Sequence, residues 1–278
     1  MQRRGIPLEL QPLLNVVWIR RIWQLFIFGY QQAMSCIFPV IIFASLALTK
    51  VISVPYVHRY DLLLLICLFA QVGMVVFKLE TIDELKVICM FHIIGLMLEL
   101  YKVHMGSWSY PGEGWSKLFG VPLYSGFMYA SVASYICQAW RRLSISVYGW
   151  PRQRYAVMVC AAIYLNFFTH HYMWDLRWLL TLLLIIVFYR TSFAYKVGGR
   201  EYRMHVVLSF LLIGFFIWLA ENISTFMGAW AYPDQEHTWR IVHLGKISSW
   251  FLLVVISVII VAQLKRVKSA RDGGNPAL

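Results

Sequence analysis

The sequence predicts an all-α, polytopic membrane protein with about eight transmembrane helices. Of the 278 residues, 60% are hydrophobic and only 14% are charged, whereas a soluble domain carries about 25% charged residues. Long apolar runs recur along the chain, each close to the ~20 residues that cross a bilayer as a helix. Lys and Arg also fall unevenly between alternate loops, as they do in polytopic proteins.

The apolar runs predict the helices. Backbone groups in lipid must be hydrogen-bonded within the segment, so we expect helices and no strands. Pro39 predicts a kink in the first run. The segment 11–28, within an N-terminal segment 1–29, is predicted to be an interfacial helix. The eight runs lie at 30–49, 60–77, 84–101, 118–140, 155–171, 176–190, 204–222 and 245–264.

The charge distribution predicts the orientation. With a cytoplasmic N-terminus and eight spans, 18 of the 25 Lys and Arg residues face the cytoplasm. This bias predicts a multi-pass protein of the cell (plasma) membrane with both termini cytoplasmic. It also accounts for the net charge of +12 without a nucleic-acid partner. The expected partner is the lipid bilayer, whose anionic headgroups the basic cytoplasmic tail 265–278 could touch.

One polar and aromatic motif occurs twice. "ELYKVHMGSWSYP" runs from Glu99 to Pro111 and "ENISTFMGAWAYP" from Glu221 to Pro233, an offset of 122 positions. In each copy Glu precedes a Gly-x-Trp-x-Tyr-Pro loop by seven residues. The recurrence predicts a parallel repeat of four helices plus four inside one transmembrane domain, 30–264, with halves of about 30–140 and 155–264.

The two motif glutamates are candidate catalytic residues. An ionisable side chain inside a span costs about 2.5–3.5 kcal/mol on insertion scales, so it indicates function by default. Glu99 and Glu221 could share a proton or bind a cation if they lie close together. The alternative is that each sits among headgroups or caps a backbone. The loop aromatics are binding candidates, or interface anchors in the alternative reading: Trp108, Tyr110, Trp230 and Tyr232.

A second polar cluster, "NFFTHHYMWDLRW", begins at Asn166. His170, His171 and Asp175 are candidate catalytic residues, and Asn166 and Arg177 are candidate binding residues. The residue types fit a proton relay or hydrogen bonds to a polar headgroup. In the alternative reading Asp175 caps a helix and Arg177 pairs with a headgroup. The spacing matches no metal signature, so no metal site is predicted, and the sequence identifies no cofactor.

Two further binding candidates flank the motifs. His92 lies seven residues before Glu99 on the same helix face, and Lys246 follows the second loop. Under the predicted orientation, the two motif loops and the histidine cluster all face outward at similar depth. We therefore expect one outward-facing polar cavity between the repeat halves.

These stretches resemble a known family. "LKVICMFHIIGLMLELYKVHMGSWSYP", "GVPLYSGFMYASVASYICQAWR", "YLNFFTHHYMWDLR", "FIWLAENISTFMGAWAYP" and "KISSWFLL" are similar to the bacterial integral-membrane family designated domain of unknown function 817. The resemblance implies a multi-pass membrane protein and no particular activity. A fainter similarity, to membrane carotenoid cyclases and hydratases, is one of fold only.

Three functions stay open from the sequence. The first is binding or chemistry on a lipid or isoprenoid-like hydrophobic small molecule, with Glu99 or Glu221 as general acid and a histidine partner. The second is a small-molecule or ion transporter that uses the same residues. The third is a structural membrane protein. The sequence leaves open whether the chain is an enzyme, and what its oligomeric state is.

Overall fold

A computed structural model describes residues 17–235 and 237–271. In these ranges the chain is mostly helical, as predicted. The helices are α1 (Val17–Ser35), α2 (Ile37–Val51), α3 (Arg59–Val76), α4 (Ile82–His104), α5 (Ser125–Arg142), α6 (Gln153–Thr169), α7 (Arg177–Phe188), α8 (Val206–Phe226) and α9 (Lys246–Arg271). The strands are β1 (Lys117–Leu118), β2 (Val121–Pro122), β3 (Ser146–Tyr148), β4 (Ser192–Val197) and β5 (Arg200–His205).

Several of these apolar helices could span a membrane. Four pass on length and hydropathy, namely α3, α4, α8 and residues 246–264 of α9, and a fifth span results if α1 and α2 count as one. The prediction of eight spans is not confirmed. Helix α5 is long enough but carries a high share of polar residues. Helices α6 and α7, with 17 and 12 residues, reach ~26 and ~18 Å against a ~30 Å hydrocarbon core.

The kink predicted at Pro39 appears as a break between α1 and α2. The two helices meet at an angle of 66° around Cys36. A proline ring clashes with the carbonyl four residues earlier, which here belongs to Ser35, the last residue of α1. Helix α1 continues across residue 29, which was predicted to end the N-terminal segment. Residues 1–16 of that segment lie outside the described part of the chain.

The expectation of a chain without strands is wrong. β3, β4 and β5 form an antiparallel sheet in which Phe193 faces Val147 and Met204. Gly198 and Gly199 connect β4 to β5 with φ of +55° and +82°, the left-handed pair that a two-residue hairpin turn requires. Strands β4 and β5 lie between α7 and α8, where the sequence predicts a connection between the runs 176–190 and 204–222, and β3 lies between α5 and α6.

Two antiparallel helix pairs dominate the packing. Helix α4 packs on α5, where Gly95 leaves room for the Tyr129 ring, and α8 packs on α9, where Gly214 faces the Phe251 backbone. We call the end with the two motif loops the loop end and the end with β3–β5 the sheet end. α4 begins at the sheet end with a capping box between Thr81 and Glu84.

The sheet end also contains a buried polar cluster. Glu80 is 2% exposed and accepts hydrogen bonds from Gln71 Nε2, at 2.5 Å, and from Ser134 Oγ. Its burial is not evident from the sequence, where it falls in a short turn between two apolar runs.

Candidate functional site

The two motif loops lie side by side at the loop end. Ser109 and Ala231, which are 122 positions apart, exchange two backbone hydrogen bonds of 2.9 Å each. A backbone pair of this kind relates the two loops by a local two-fold arrangement. Because these two residues hold equivalent positions in the motifs, the loops meet at matching points.

Each motif helix ends in the same turn. Gly106 and Gly228 have φ of +68° and +72°, the left-handed conformation that commonly ends a helix. The next amide donates back to a helix carbonyl in both copies, from Ser107 to Lys102 at 2.9 Å and from Ala229 to Ser224 at 3.0 Å. The similarity covers the helix ends and the loops. It does not establish four equivalent helices per half, since the β4–β5 hairpin has no counterpart in the short turn between α3 and α4.

Glu99 is buried at 3% exposure beneath the first loop. Its carboxylate accepts hydrogen bonds from Trp108 Nε1 (2.7 Å), the Tyr110 hydroxyl (2.8 Å) and the Tyr129 hydroxyl (2.7 Å). Burial, followed by the nearby Glu99 charge, raises the pKa of the Tyr110 hydroxyl well above its usual value, so it remains a donor. The spacing between Glu99 and its loop therefore allows Trp108 and Tyr110 to donate hydrogen bonds to the carboxylate.

Glu221 has a related environment. The Tyr232 hydroxyl donates to it at 2.5 Å and Trp250 Nε1 at 2.8 Å. Tyr232 follows Glu221 by eleven residues, as Tyr110 follows Glu99. Trp230, the equivalent of Trp108, lines the cavity described below, and the indole bond to Glu221 comes from Trp250 instead. We call Glu99 and Glu221 the carboxylate pair.

Lys246 links the two loops. Its Nζ lies 5.2 Å from the ring centroid of Trp108 and 4.5 Å from that of Tyr232, close enough for a cation–π interaction with each. The two rings meet edge to face with centroids 5.9 Å apart. One ammonium group therefore contacts an aromatic side chain from each motif copy.

The histidine cluster joins the same region through Lys102, a residue that sequence analysis did not select. Lys102 Nζ lies 3.0 Å from His171 Nε2 and 3.3 Å from His170 Nε2. Partial burial and then the Lys102 charge lower the pKa of both imidazoles below the ordinary value of 6.5. We call His170 and His171 the histidine pair. The signal for Lys102 was its position three residues after Glu99, on the same helix face.

Asp175, Asn166 and Arg177 hold the turn between α6 and α7. Arg177 pairs with Asp175 at 3.0 Å and donates to the Gly245 carbonyl at 3.3 Å. Asn166 Nδ2 donates to Asp175 at 3.2 Å. Partial burial acts to raise the pKa of the Asp175 carboxyl, but the hydrogen bonds from Arg177 and Asn166 and the Arg177 charge lower it overall. Leu176, and not Asp175, occupies the N-cap position of α7, although Asp175 Oδ1 accepts a hydrogen bond from the Arg177 backbone N–H at 3.0 Å.

His92 is the predicted site residue that lies elsewhere. Its ring packs edge-on against Phe127, 4.5 Å between centroids, and against Gly126 of α5. A seven-residue step moves ~10 Å along the helix axis, so sharing a face with Glu99 does not bring His92 to the same place. The other predicted residues converge at the loop end. Within the described ranges, no group of three or more His, Cys, Asp or Glu side chains is arranged to hold a metal ion.

These residues form one end of a cavity of about 1070 Å³, at the upper limit of the ~300–1,000 Å³ usual for small-molecule sites. Its walls run from Met128 of α5 to Leu143, the residue after the end of α5, and from Ser209 to Ser224 of α8, so the cavity follows each helix for ~23 Å. Away from the loop end its lining is largely apolar and reaches Phe193 of β4. The polar end is lined by Glu99, Lys102, Trp108, Asn166, His170, Arg177, Glu221, Tyr232 and Lys246.

Comparison with known proteins assigns the chain to a family. Residues 24–258 match the family described as "Protein of unknown function (DUF817)", and the chain belongs to this family, as the motif resemblance predicts. It is 63% identical over 250 residues to "Uncharacterized protein YoaT" of Bacillus subtilis (strain 168), covering 90% of this chain and 95% of that protein. No solved structure matches.

Proposed function

We propose that this chain is a multi-pass membrane protein that binds a lipid or isoprenoid-like amphiphile. The apolar chain of the ligand lies along α5 and α8, and its polar head lies at the carboxylate pair. The supporting observation is the shape of the cavity, which is long and largely apolar and has the charged side chains of its described lining at one end. A compact polar ligand would leave most of such a cavity unfilled.

The proposed topology extends this reading. The bent pair α1–α2 and the helices α3 to α9 supply eight crossings, arranged as a parallel repeat of four plus four. The similar loop geometry at Gly106 and Gly228 supports the repeat. The excess of Lys and Arg on one side supports a plasma-membrane location with both termini cytoplasmic. In this orientation the polar end of the cavity faces outward.

Chemistry on the bound molecule is a further part of the proposal. In its protonated form, either member of the carboxylate pair could transfer its proton to a carbon–carbon double bond of the ligand, and a neutral imidazole of the histidine pair could then remove a proton from the resulting cation. Glu99 and Glu221 both line the cavity, and each is held by aromatic N–H and O–H donors that fix its orientation.

Transport is the second candidate function, and one observation favours it. The cavity reaches from the loop end to Phe193 and Tyr195 of β4 at the sheet end. A path of that length could carry an amphiphile, head first or chain first, between the two faces of the membrane.

The test compares two glycine substitutions. Gly29 lies in α1 and lines the cavity, and an added Cβ there meets no atom within 4 Å. Gly29→Phe should therefore fill the cavity without a backbone clash. Gly73→Phe is the matched control, because Gly73 lies in α3, away from the cavity lining, where an added Cβ makes ordinary contact with Phe77 at 3.9 Å.

The measurement is mass spectrometry of lipids retained by the full chain after extraction into polymer-bounded nanodiscs. We expect the wild type and Gly73→Phe to retain the same amphiphile, and Gly29→Phe to retain at least about tenfold less. Equal retention by Gly29→Phe, or no specific retention by the wild type, contradicts the proposal. A retained molecule whose mass changes during incubation supports the chemical role, and movement between leaflets of liposomes supports transport.

A further inference from the structure

Three cations line the polar end of the cavity, where the two glutamates of the carboxylate pair also lie. Lys102, Arg177 and Lys246, which we call the cation triad, come from α4, α7 and α9. Of these, Arg177 has a carboxylate partner at ion-pair distance, Asp175, and within the described residues Lys102 and Lys246 have none. Glu221 and Glu99 act on Lys246 through space without contacting it, while the like charges of the triad repel one another, so an anion in direct contact with Lys102 and Lys246 would stabilise them.

Lys102 is the most informative member. Its side chain belongs to a residue only 5% exposed, and its ammonium group contacts two imidazole nitrogens instead of a carboxylate. Burying an ammonium group costs free energy unless it is paired with charge. Neutral imidazoles satisfy its hydrogen bonds but do not balance its charge.

The carboxylate pair does not provide that balance by direct contact. Glu99 and Glu221 accept hydrogen bonds from tyrosine and tryptophan, and neither forms an ion pair in the described part of the chain. The anions and the cations of this cavity are therefore held separately. The aromatic donors occupy the carboxylates and leave the cations available to a ligand.

Helix orientation adds to the positive potential. α7 begins at Arg177 and α9 at Lys246, so two helix N-termini start at this wall of the cavity. The helix dipole makes such ends favourable for anions.

We propose that the cation triad binds the phosphate group of an anionic amphiphile. This inference rests on the proposed function, since the same molecule places its chain in the apolar part of the cavity. A phosphate group offers several oxygens to cations that arrive from three helices. The histidine pair orients the Lys102 ammonium group toward it, as a positioning element.

The experiment measures the affinity of the full chain in nanodiscs for four probes. Hexadecyl phosphate and hexadecanol share a chain and differ in head, hexadecyltrimethylammonium reverses the charge, and inorganic phosphate has no chain. Lys102→Met and Lys246→Met remove single charges while keeping side-chain length. Lys102→Arg restores the charge, and Lys86→Met is the control, because Lys86 is an exposed residue of the same helix α4 paired with Asp83.

We expect hexadecyl phosphate to bind at least about tenfold more tightly than hexadecanol. Lys102→Met and Lys246→Met should abolish that preference, with hexadecanol affinity within about twofold of wild type, which also shows that the variants fold. Lys102→Arg should recover most of the preference, and Lys86→Met should not change it.

The other outcomes separate this inference from the proposed function. Equal binding of hexadecanol and hexadecyl phosphate, or tightest binding of the ammonium probe, overturns the phosphate site and leaves the apolar cavity supported. Inorganic phosphate that binds as tightly as hexadecyl phosphate, with the same dependence on Lys102, supports the anion site and contradicts the amphiphile. Binding of no probe contradicts both.

Discussion

Replacing Glu99 with alanine should destabilise the protein more than any other single substitution among the site carboxylates. Three hydrogen bonds of 2.7–2.8 Å end on this carboxylate, and bonds to a charged group contribute about 1.5–3 kcal/mol each. Two offsets apply: alanine removes the desolvation cost of the carboxylate, and the cavity can hydrate Trp108 and Tyr129. We expect a net loss of about 3 kcal/mol.

The matched substitutions set the scale. Glu221 accepts two bonds, so Glu221→Ala should cost about 2 kcal/mol. Glu99→Gln keeps one acceptor oxygen for Trp108 and Tyr110, and the Tyr129 hydroxyl can accept from the new amide. It should therefore cost about 1 kcal/mol or less. Glu113→Ala removes a loop carboxylate that is 87% exposed and should cost less than about 0.5 kcal/mol.

Thermal unfolding in detergent, followed by the fluorescence of the 12 tryptophans, measures these differences. At about 2–4 °C per kcal/mol, Glu99→Ala should lower the Tm by about 6–12 °C, and Glu113→Ala by about 2 °C at most. If Glu99→Gln is as damaging as Glu99→Ala, or if Glu99→Ala is no worse than Glu113→Ala, the hydrogen-bond argument is wrong.

The same glutamine variants test the symmetric arrangement of the site. If each motif contributes one equivalent wall of the cavity, Glu99→Gln and Glu221→Gln should reduce amphiphile retention by similar factors. A silent Glu99→Gln beside a Glu221→Gln variant that retains nothing would show that the two walls have different roles.

Three other outcomes follow from particular contacts. Gly95→Ala should weaken α4–α5 packing and lower the Tm, since its Cβ would clash with the Tyr129 ring, while Gly73→Ala, with 3.9 Å to its nearest neighbour, should not. Ser109→Pro and Ala231→Pro each remove one of two equivalent inter-loop donors, so their losses in Tm should agree within a few degrees. Because burial holds the pKa of the histidine pair below 6.5, the unfolded chain binds more protons in mild acid, and the stability present above that pH should decline as pH falls below it; replacing the pair with asparagine should flatten this part of the Tm–pH curve.

Hydropathy was sufficient for the most apolar helices. The runs 60–77, 84–101, 204–222 and 245–264 coincide with α3, α4, α8 and α9 to within a few residues, except that α4 extends to His104, α8 to Phe226 and α9 to Arg271. These segments are helical wherever they sit, because a continuous apolar run must satisfy its own backbone. The run 118–140 was set too early, since residues 117–122 turn back on themselves as β1 and β2 around Gly120, with φ of +84°.

The sheet was missed for a different reason. Four residues of the segment from Ser192 to His205 are Lys, Arg or Glu. These charges led to the prediction of a cytoplasmic loop. The Gly198-Gly199 pair, which follows a segment containing Phe193, Tyr195 and Val197, was the hairpin signal. Counting the Lys and Arg residues of each loop hides the hairpin signal, because such a count ignores the order of the residues within the segment.

The site residues also divide into those that the sequence predicts and one that it does not. Recurrence of a motif predicted that Glu99, Glu221 and their loop aromatics belong together, since a spacing kept in two copies has to serve some shared geometry. Lys102 had no such support. A lysine near the end of an apolar helix usually extends to the interface, and only the fold shows that the histidine pair turns this one inward.

The separation of anions and cations at the loop end follows from how the aromatic rings are used. Trp108 donates its N–H to Glu99 while its ring face lies under Lys246, and Tyr232 donates its hydroxyl to Glu221 while its face also lies near Lys246. Each ring therefore stands between a carboxylate at its polar edge and an ammonium group at its face. The charge distribution of the ring, positive at the edge and negative at the face, favours both contacts. A ligand that draws Lys246 away weakens the cation–π contact in both motifs at once. The two carboxylates should then respond together to a single binding event, which gives the duplicated motif a physical reason to have kept the same spacing twice.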